Sequence, residues 1–110
     1  RIEIQRMLFG KPGPANDQKF FKYAWQIKPD VCEETGRPLG DYGAEKISHI
    51  LTKGGHPDMR YDLRNYNKVQ LWVHNIWEYG KESQRKKLKI YWKNQPTIKK
   101  LRNEYQRATQ

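Results

Sequence analysis

Between Asp30 and Lys68 the chain carries a turn signal every few residues: Glu34-Thr35-Gly36, Arg37-Pro38, Leu39-Gly40-Asp41, Gly54-Gly55 and His56-Pro57. Glycine and proline interrupt regular structure, so no long helix or strand fits this stretch. Short strands separated by loops do fit, with residues 46–51 the clearest of them. Helical periodicity belongs to the flanks. Upstream, Asn16 or Asp17 is placed to cap a helix running to about Lys28, with Phe20, Phe21, Ala24 and Trp25 on one stripe and Pro29 at its end. Downstream, Val69, Trp72, Val73, Ile76 and Trp77 predict a helix over residues 69–79, with Gly80 to stop it. A further helical segment spans residues 81–94, and another begins near Pro96 with Ile98, Leu101 and Tyr105 on one side.

A chain of 110 residues supports one domain with a modest core. Residues 1–17 form a basic arm broken by Gly10-Lys11-Pro12-Gly13-Pro14, and residues 18–110 form the domain. With 35% hydrophobic and 13% aromatic residues, much of the burial falls to large rings, among them Trp25, Trp72, Trp77 and Trp92. The single cysteine, Cys32, excludes an internal disulfide and a thiolate zinc cage, and reads as a small buried hydrophobe. With no apolar leader at the N-terminus, an intracellular, cytoplasmic setting is expected.

A formal charge of +10 points to a polyanionic partner, because Lys and Arg that neutralise phosphates release condensed counterions. No run of about 18 apolar residues and no wide greasy cationic helix is present, so a membrane is not the expected partner. The basic residues concentrate in the C-terminal part. Lys81, Arg85, Lys86, Lys87, Lys89 and Lys93 are opposed locally by Glu82 alone, and Lys99, Lys100, Arg102 and Arg107 by Glu104. Tyr91 and Trp92 lie inside this stretch, which favours a phosphate-tracking surface over a merely solvated helix face.

All three histidines lie centrally, in Ser48-His49-Ile50, Gly54-Gly55-His56-Pro57 and Trp72-Val73-His74-Asn75, with Asn65 nine residues before His74. This order of His, Asn and His, preceded by the aromatic helix and Cys32-Glu33-Glu34-Thr35-Gly36, resembles the HNH endonuclease family over roughly residues 20 to 80. The resemblance implies an α+β fold, with a ββα-metal core of short strands plus a helix over about residues 30–80. That core would be flanked by an N-terminal helix and by basic C-terminal helices over residues 81–110. It also implies DNA phosphodiester hydrolysis with a divalent ion, Mg²⁺ or Mn²⁺ before Ni²⁺ or Zn²⁺, and small members of this type are frequent in phages. RNA remains open as a substrate, as does the oligomeric state.

Under this resemblance His49 is the general base, since neutral imidazole accepts a proton from water near pH 7. His74 is a metal ligand, with Ser48 and Asn75 beside it, and Asn65 orients the loop that carries the catalytic His. Lys81, Arg85, Lys86, Lys87, Lys89, Lys93, Lys99 and Lys100 grip the DNA backbone. Two positions depart from the family pattern. Thr35 stands where a second knuckle cysteine is usual, so packing has to replace a structural zinc. Ser48 stands where an Asp is usual, and a hydroxyl brings no negative charge to a hard cation. Asp41, Glu45, His56, Asp58, Asp62 or Asn75 could supply the missing ligand. Taken individually, His56 reads as a loop residue and Asp62 as an Asx turn. The runner-up function is a nucleic-acid-binding module that keeps this fold without catalysis, followed by a basic adaptor for an acidic protein.

Overall fold

Asn16 is extended and its side chain accepts the Lys19 N–H at 3.1 Å, which opens helix α1 (Asp17–Ile27). The structure, a computed structural model, describes residues 14–52 and 54–109, with side chains through residue 106. Most of the arm expected over residues 1–17 therefore lies outside the described residues. Helix α1 stops at Ile27 because Pro29 forces Lys28 into an extended conformation. Phe20 and Ala24 form its buried stripe.

The turn-rich stretch that follows is held by long-range bonds. Val31 bridges Pro38, the Cys32 N–H donates to the Arg37 carbonyl, and Gly36, at φ +75°, returns its N–H to the Cys32 carbonyl at 2.8 Å. This knuckle closes without a second cysteine. The Gln70 N–H donates to Cys32 Sγ at 3.3 Å, and the Thr35 hydroxyl donates to the Gln70 side-chain oxygen at 2.9 Å.

A 3-10 turn (Ala44–Lys46) leads into β1 (Ile47–His49), which pairs antiparallel with β2 (Tyr66–Lys68) so that His49 faces Tyr66 and Ser48 faces Asn67. A second 3-10 turn (Pro57–Met59) lies in the connection between them. The strand expected over residues 46–51 is shorter, although backbone bonds in the same register continue on either side of it, from the Val69 N–H to the Lys46 carbonyl and from the Ile50 N–H to the Asn65 carbonyl. The Leu51 N–H, on the edge turned away from β2, is taken at 2.8 Å by the side-chain oxygen of Asn65. Helix α2 (Leu71–Tyr79) follows directly. Gly80 stops it, but not through a left-handed conformation, since its φ is −75°. Its N–H returns to the Ile76 carbonyl, and a Cβ there would lie 2.5 Å from that oxygen.

Two expectations are corrected. Of the four tryptophans only Trp77 is fully buried; Trp25 packs partly buried against two clusters, while Trp72 and Trp92 are exposed. The core is instead carried by Phe20, Tyr66 and aliphatic residues such as Val69, Val73, Ile90 and Leu101. The single helix expected over residues 81–94 is broken into α3 (Glu82–Arg85) and α4 (Lys89–Lys93). At the break Leu88 is extended and buried, and both carboxylate oxygens of Glu34 accept N–H groups of the new helix, from Lys89 and Ile90, at 2.9 Å each. Helix α5 (Gln95–Thr109) then lays Leu101, Tyr105 and part of Ile98 against Leu51 and Met59, as its periodicity predicts. The described residues thus form a mixed α+β fold around one two-stranded antiparallel sheet.

Lys68 fastens the N-terminal helix to the sheet. Its side chain is 1% exposed, and its ammonium donates to the Trp25 carbonyl at 2.7 Å and the Lys28 carbonyl at 3.1 Å while lying 3.8 Å from the Trp25 ring centroid. A cation on the last carbonyls of a helix satisfies orphan acceptors and meets the negative end of the helix dipole. The Glu34 cap gives the testable consequence for the break: Glu34→Ala should cost about 1–2 kcal/mol, the usual worth of a lost helix cap. Hydrogen–deuterium exchange should show protection lost over residues 89–93 and retained in β1 and β2.

Candidate functional site

A cavity of about 390 Å³ opens where the C-terminal end of β1, helix α2 and the aromatic flank of α1 meet, and His49 and His74 both line it. Phe21 and Ile47 supply apolar wall, and Glu45 and Glu78 add carboxylates.

His49 is buried at the end of β1, stacked on Phe20 at 5.9 Å with planes 18° apart and meeting Phe21 edge-on at 6.0 Å. Its Nε2 lies 2.8 Å from the Arg60 carbonyl oxygen. A carbonyl only accepts, so Nε2 carries the proton of this bond. Arg60 is itself anchored. Its guanidinium reaches both oxygens of Asp17, at 3.0 and 2.9 Å, and the neighbouring Tyr61 hydroxyl donates to the same carboxylate at 2.9 Å. The first residue of α1 thereby positions the carbonyl that orients His49.

Asn65 is wholly buried and does not enter the cavity. Its oxygen accepts the Leu51 N–H, and its amide nitrogen donates to the Leu51 carbonyl at 3.0 Å and the Met59 carbonyl at 3.1 Å. The side chain thus ties both ends of the loop between β1 and the Pro57–Met59 turn.

His74 sits on α2 one helical turn before Glu78. Its Nδ1 is buried and has no hydrogen-bond partner among the described residues. Burial pushes its pKa below the ordinary histidine value, and the nearby Glu78 and Glu45 carboxylates only partly oppose that shift. A neutral imidazole with an unused nitrogen is the form that binds a metal.

The other residues singled out from the sequence fall elsewhere. Ser48, alternating with His49 along β1, lies on the opposite face against Asn67, and its buried hydroxyl has no partner among the described residues. Asn75 is exposed on α2 and does not line the cavity, nor does Asp41. His56 and Asp58 line a separate cavity of about 380 Å³ with Arg102 and Tyr105. Asp62 forms the expected Asx turn: it accepts the Arg64 N–H at 2.9 Å, pairs with the Arg64 guanidinium and accepts the Tyr105 hydroxyl. Among the described residues, no group of three or more His, Cys, Asp or Glu side chains is arranged to hold a metal ion. Glu78 was missed in the sequence, although its i, i+4 relation to His74 on a predicted helix is a readable signal. Asp17 and Arg60, 43 residues apart, offered no local signal.

The basic residues divide into two groups. Lys81, Lys86, Lys87, Lys89, Lys99 and Lys100 are exposed. Arg85 instead lies over the Trp77 ring at 4.7 Å and pairs with Glu82, and Lys93 pairs with Glu33 at 3.3 Å. Among the described residues no helix is long and apolar enough to cross a membrane. No family model, curated protein or solved structure matches the chain.

Two outcomes follow. Asn65→Ala removes the partner of the buried Leu51 N–H and Leu51 carbonyl, while the Met59 carbonyl keeps the Asp62 N–H, and should destabilise the fold by about 2–4 kcal/mol in urea unfolding, whereas Asn75→Ala should stay within about 0.5 kcal/mol. For His74 the folded pKa lies below the unfolded value of about 6.5, so below that pH the unfolded chain binds the proton more readily. Stability should therefore fall as pH drops through about 6.5, and His74→Gln should lose less over the same window. Urea midpoints at several pH values read this directly.

Proposed function

We propose that the chain is a divalent-metal-dependent endonuclease of the HNH type that hydrolyses DNA phosphodiester bonds. The observation that carries this reading is the meeting of His49 and His74 in one cavity, with Asn65 holding the intervening loop. Strand, loop, strand and helix follow in the order that a ββα-metal finger requires.

In this reading His49 Nδ1 takes the proton from a water as its oxygen attacks phosphorus, and the Arg60 carbonyl holds the resulting imidazolium through Nε2. Asn65 is a positioning residue. It keeps the loop from Leu51 to Met59 closed, so that the carbonyl of Arg60, directly after that loop, stays at His49. The donor set fits an open site for a hard cation rather than a closed cage. His74, with its unpartnered imidazole nitrogen, and a carboxylate from Glu78 or Glu45 would hold Mg²⁺ or Mn²⁺, an ion that accepts an incomplete set of protein ligands. Such an ion would bind a non-bridging phosphate oxygen and offset charge on the departing 3′ oxygen. Glu78 and Glu45 take over the anionic part that Ser48, turned to the other face, leaves open. The exposed lysines from Lys81 to Lys100 would hold the DNA backbone.

A second reading keeps the fold as a nucleic-acid-binding module without catalysis. It is favoured by the Ser48 hydroxyl facing away from His74 and by the lack of three converging ligands among the described residues. A plasmid-nicking assay across Mg²⁺, Mn²⁺, Ni²⁺ and Zn²⁺ separates the two. The nuclease predicts cutting that EDTA abolishes and that His49→Ala lowers by at least about 10²-fold, the share of a general base. His74→Ala and Glu78→Gln should raise the metal concentration needed for half-maximal cutting. DNA retardation without cutting in any metal would leave the binding module.

A further inference from the structure

Trp92 is 60% exposed on α4, although an indole ring is among the most rewarding groups to bury. Its orientation is nevertheless fixed. The indole Nε1 donates to the Lys86 carbonyl at 2.9 Å, and the ring meets Tyr91 edge-on, with centroids 4.9 Å apart and planes at 72°. Tyr91 is held in turn by its hydroxyl, which donates to Glu82 at 3.1 Å, and by Trp77, whose ring lies 6.2 Å away on α2. The start of α4 is tied down by the Glu34 carboxylate. A flat ring held at one angle in water has little freedom left to lose when a second flat ring stacks on it.

The charge around this ring is one-sided. From Lys81 to Lys93 six basic residues stand against the single acid Glu82. Arg85 and Lys93 are engaged in ion pairs, whereas Lys86, Lys87 and Lys89 are exposed and make no ion pair among the described residues. Lys86 provides the carbonyl that fixes the indole, and Lys89 precedes Trp92 by three residues on the same short helix. The Glu34 carboxylate, which could have neutralised them, is turned to backbone N–H groups instead.

We infer that Trp92 is a stacking platform for an unpaired base of single-stranded DNA, with Lys86, Lys87 and Lys89 on the flanking phosphates. The choice of DNA rests on the nuclease reading. The preference for an unpaired base rests on Trp92, because an intact duplex offers its phosphates to lysines but keeps its base faces inside the stack. Trp77 links the platform to the helix that carries His74, so the protein would favour gapped, frayed or branched DNA over continuous duplex.

The test uses the His49→Ala chain, which removes cleavage from a binding measurement, and fluorescence anisotropy with labelled oligo(dT) of about 12 nucleotides, a duplex of equal length, and oligo(U). The expected result is oligo(dT) bound more tightly than duplex, with Trp92→Ala weakening oligo(dT) roughly 5- to 100-fold and duplex by less than about twofold. Oligo(dT) should quench tryptophan fluorescence in the parent chain, and Trp92→Phe should retain most of the affinity while removing that quench. Because phenylalanine is a mild replacement, the quench decides the matter if Trp92→Ala fails to fold. Equal losses on both DNA forms, a quench that survives Trp92→Phe, or tighter binding of oligo(U) than oligo(dT) would overturn the inference. Binding and quench without cleavage by the unsubstituted chain would support the platform while overturning the nuclease.

Discussion

Asn65 is the side chain on which the centre of the molecule depends. A primary amide offers donors and an acceptor on one rigid plane, and here it satisfies Leu51 on both its N–H and its carbonyl and Met59 on its carbonyl, all out of water. The loop between the strands consequently has a fixed start and a fixed turn. Arg60 follows that turn directly, so its carbonyl is delivered to His49 Nε2 and the proton on that nitrogen is held by backbone position. Asp17 clamps the same arginine from α1. The two constraints, one from the loop and one from α1, act on the neighbouring residues Met59 and Arg60.

A second constraint closes the turn that begins at Cys32. The Cys32 knuckle is closed by the N–H and side-chain oxygen of Gln70, and the adjacent Glu33 takes the Lys28 ammonium, the Lys68 N–H and the Asn67 amide. Burial alone would push the Glu33 carboxyl up, but Lys28 together with these donors leaves it below the ordinary carboxylate range. Buried charges of this kind need partners, because the desolvation cost of each is several kcal/mol without them. The knuckle, β2 and α1 therefore hold together through paired charges and hydrogen bonds, which specify geometry more than they add net stability.

What was legible in the sequence is what is local. The cap at Asn16, the stop before Pro29, the stripes of α1, α2 and α5, and the Asx turn at Asp62 all follow from neighbours within a turn or two of helix. The break at Leu88 was not legible, because the carboxylate that restarts the helix comes from Glu34, 55 residues earlier than Lys89. The tryptophans misled for a related reason. Ring size measures how much apolar surface a residue could bury, but whether Trp72 or Trp92 does so depends on which partner the helix meets. At the candidate site, strand alternation should have warned against Ser48. Residues 48 and 49 point to opposite faces wherever the strand is regular, so a hydroxyl at 48 and an imidazole at 49 do not share a cavity.

The distribution of charge then gives the proposed chemistry its internal logic. A formal charge of +10 suggests a surface attractive to phosphate everywhere, yet the cavity that holds His49 and His74 has two carboxylates, Glu45 and Glu78, in its wall. In the proposed reading a phosphodiester brought there by the lysines of α3 to α5 would meet like charge at the point of reaction, and at short range in a partly buried site that repulsion is substantial. In that reading, one divalent cation held by His74 and a carboxylate would cancel the two negative charges of the wall while leaving the basic surface unchanged. The same carboxylates that would exclude substrate from the empty cavity are the ones a hard cation needs. Grip and cleavage would thus be separated in space in the proposed reading, with lysine charge screened by salt on the outer surface and metal charge confined beside His49.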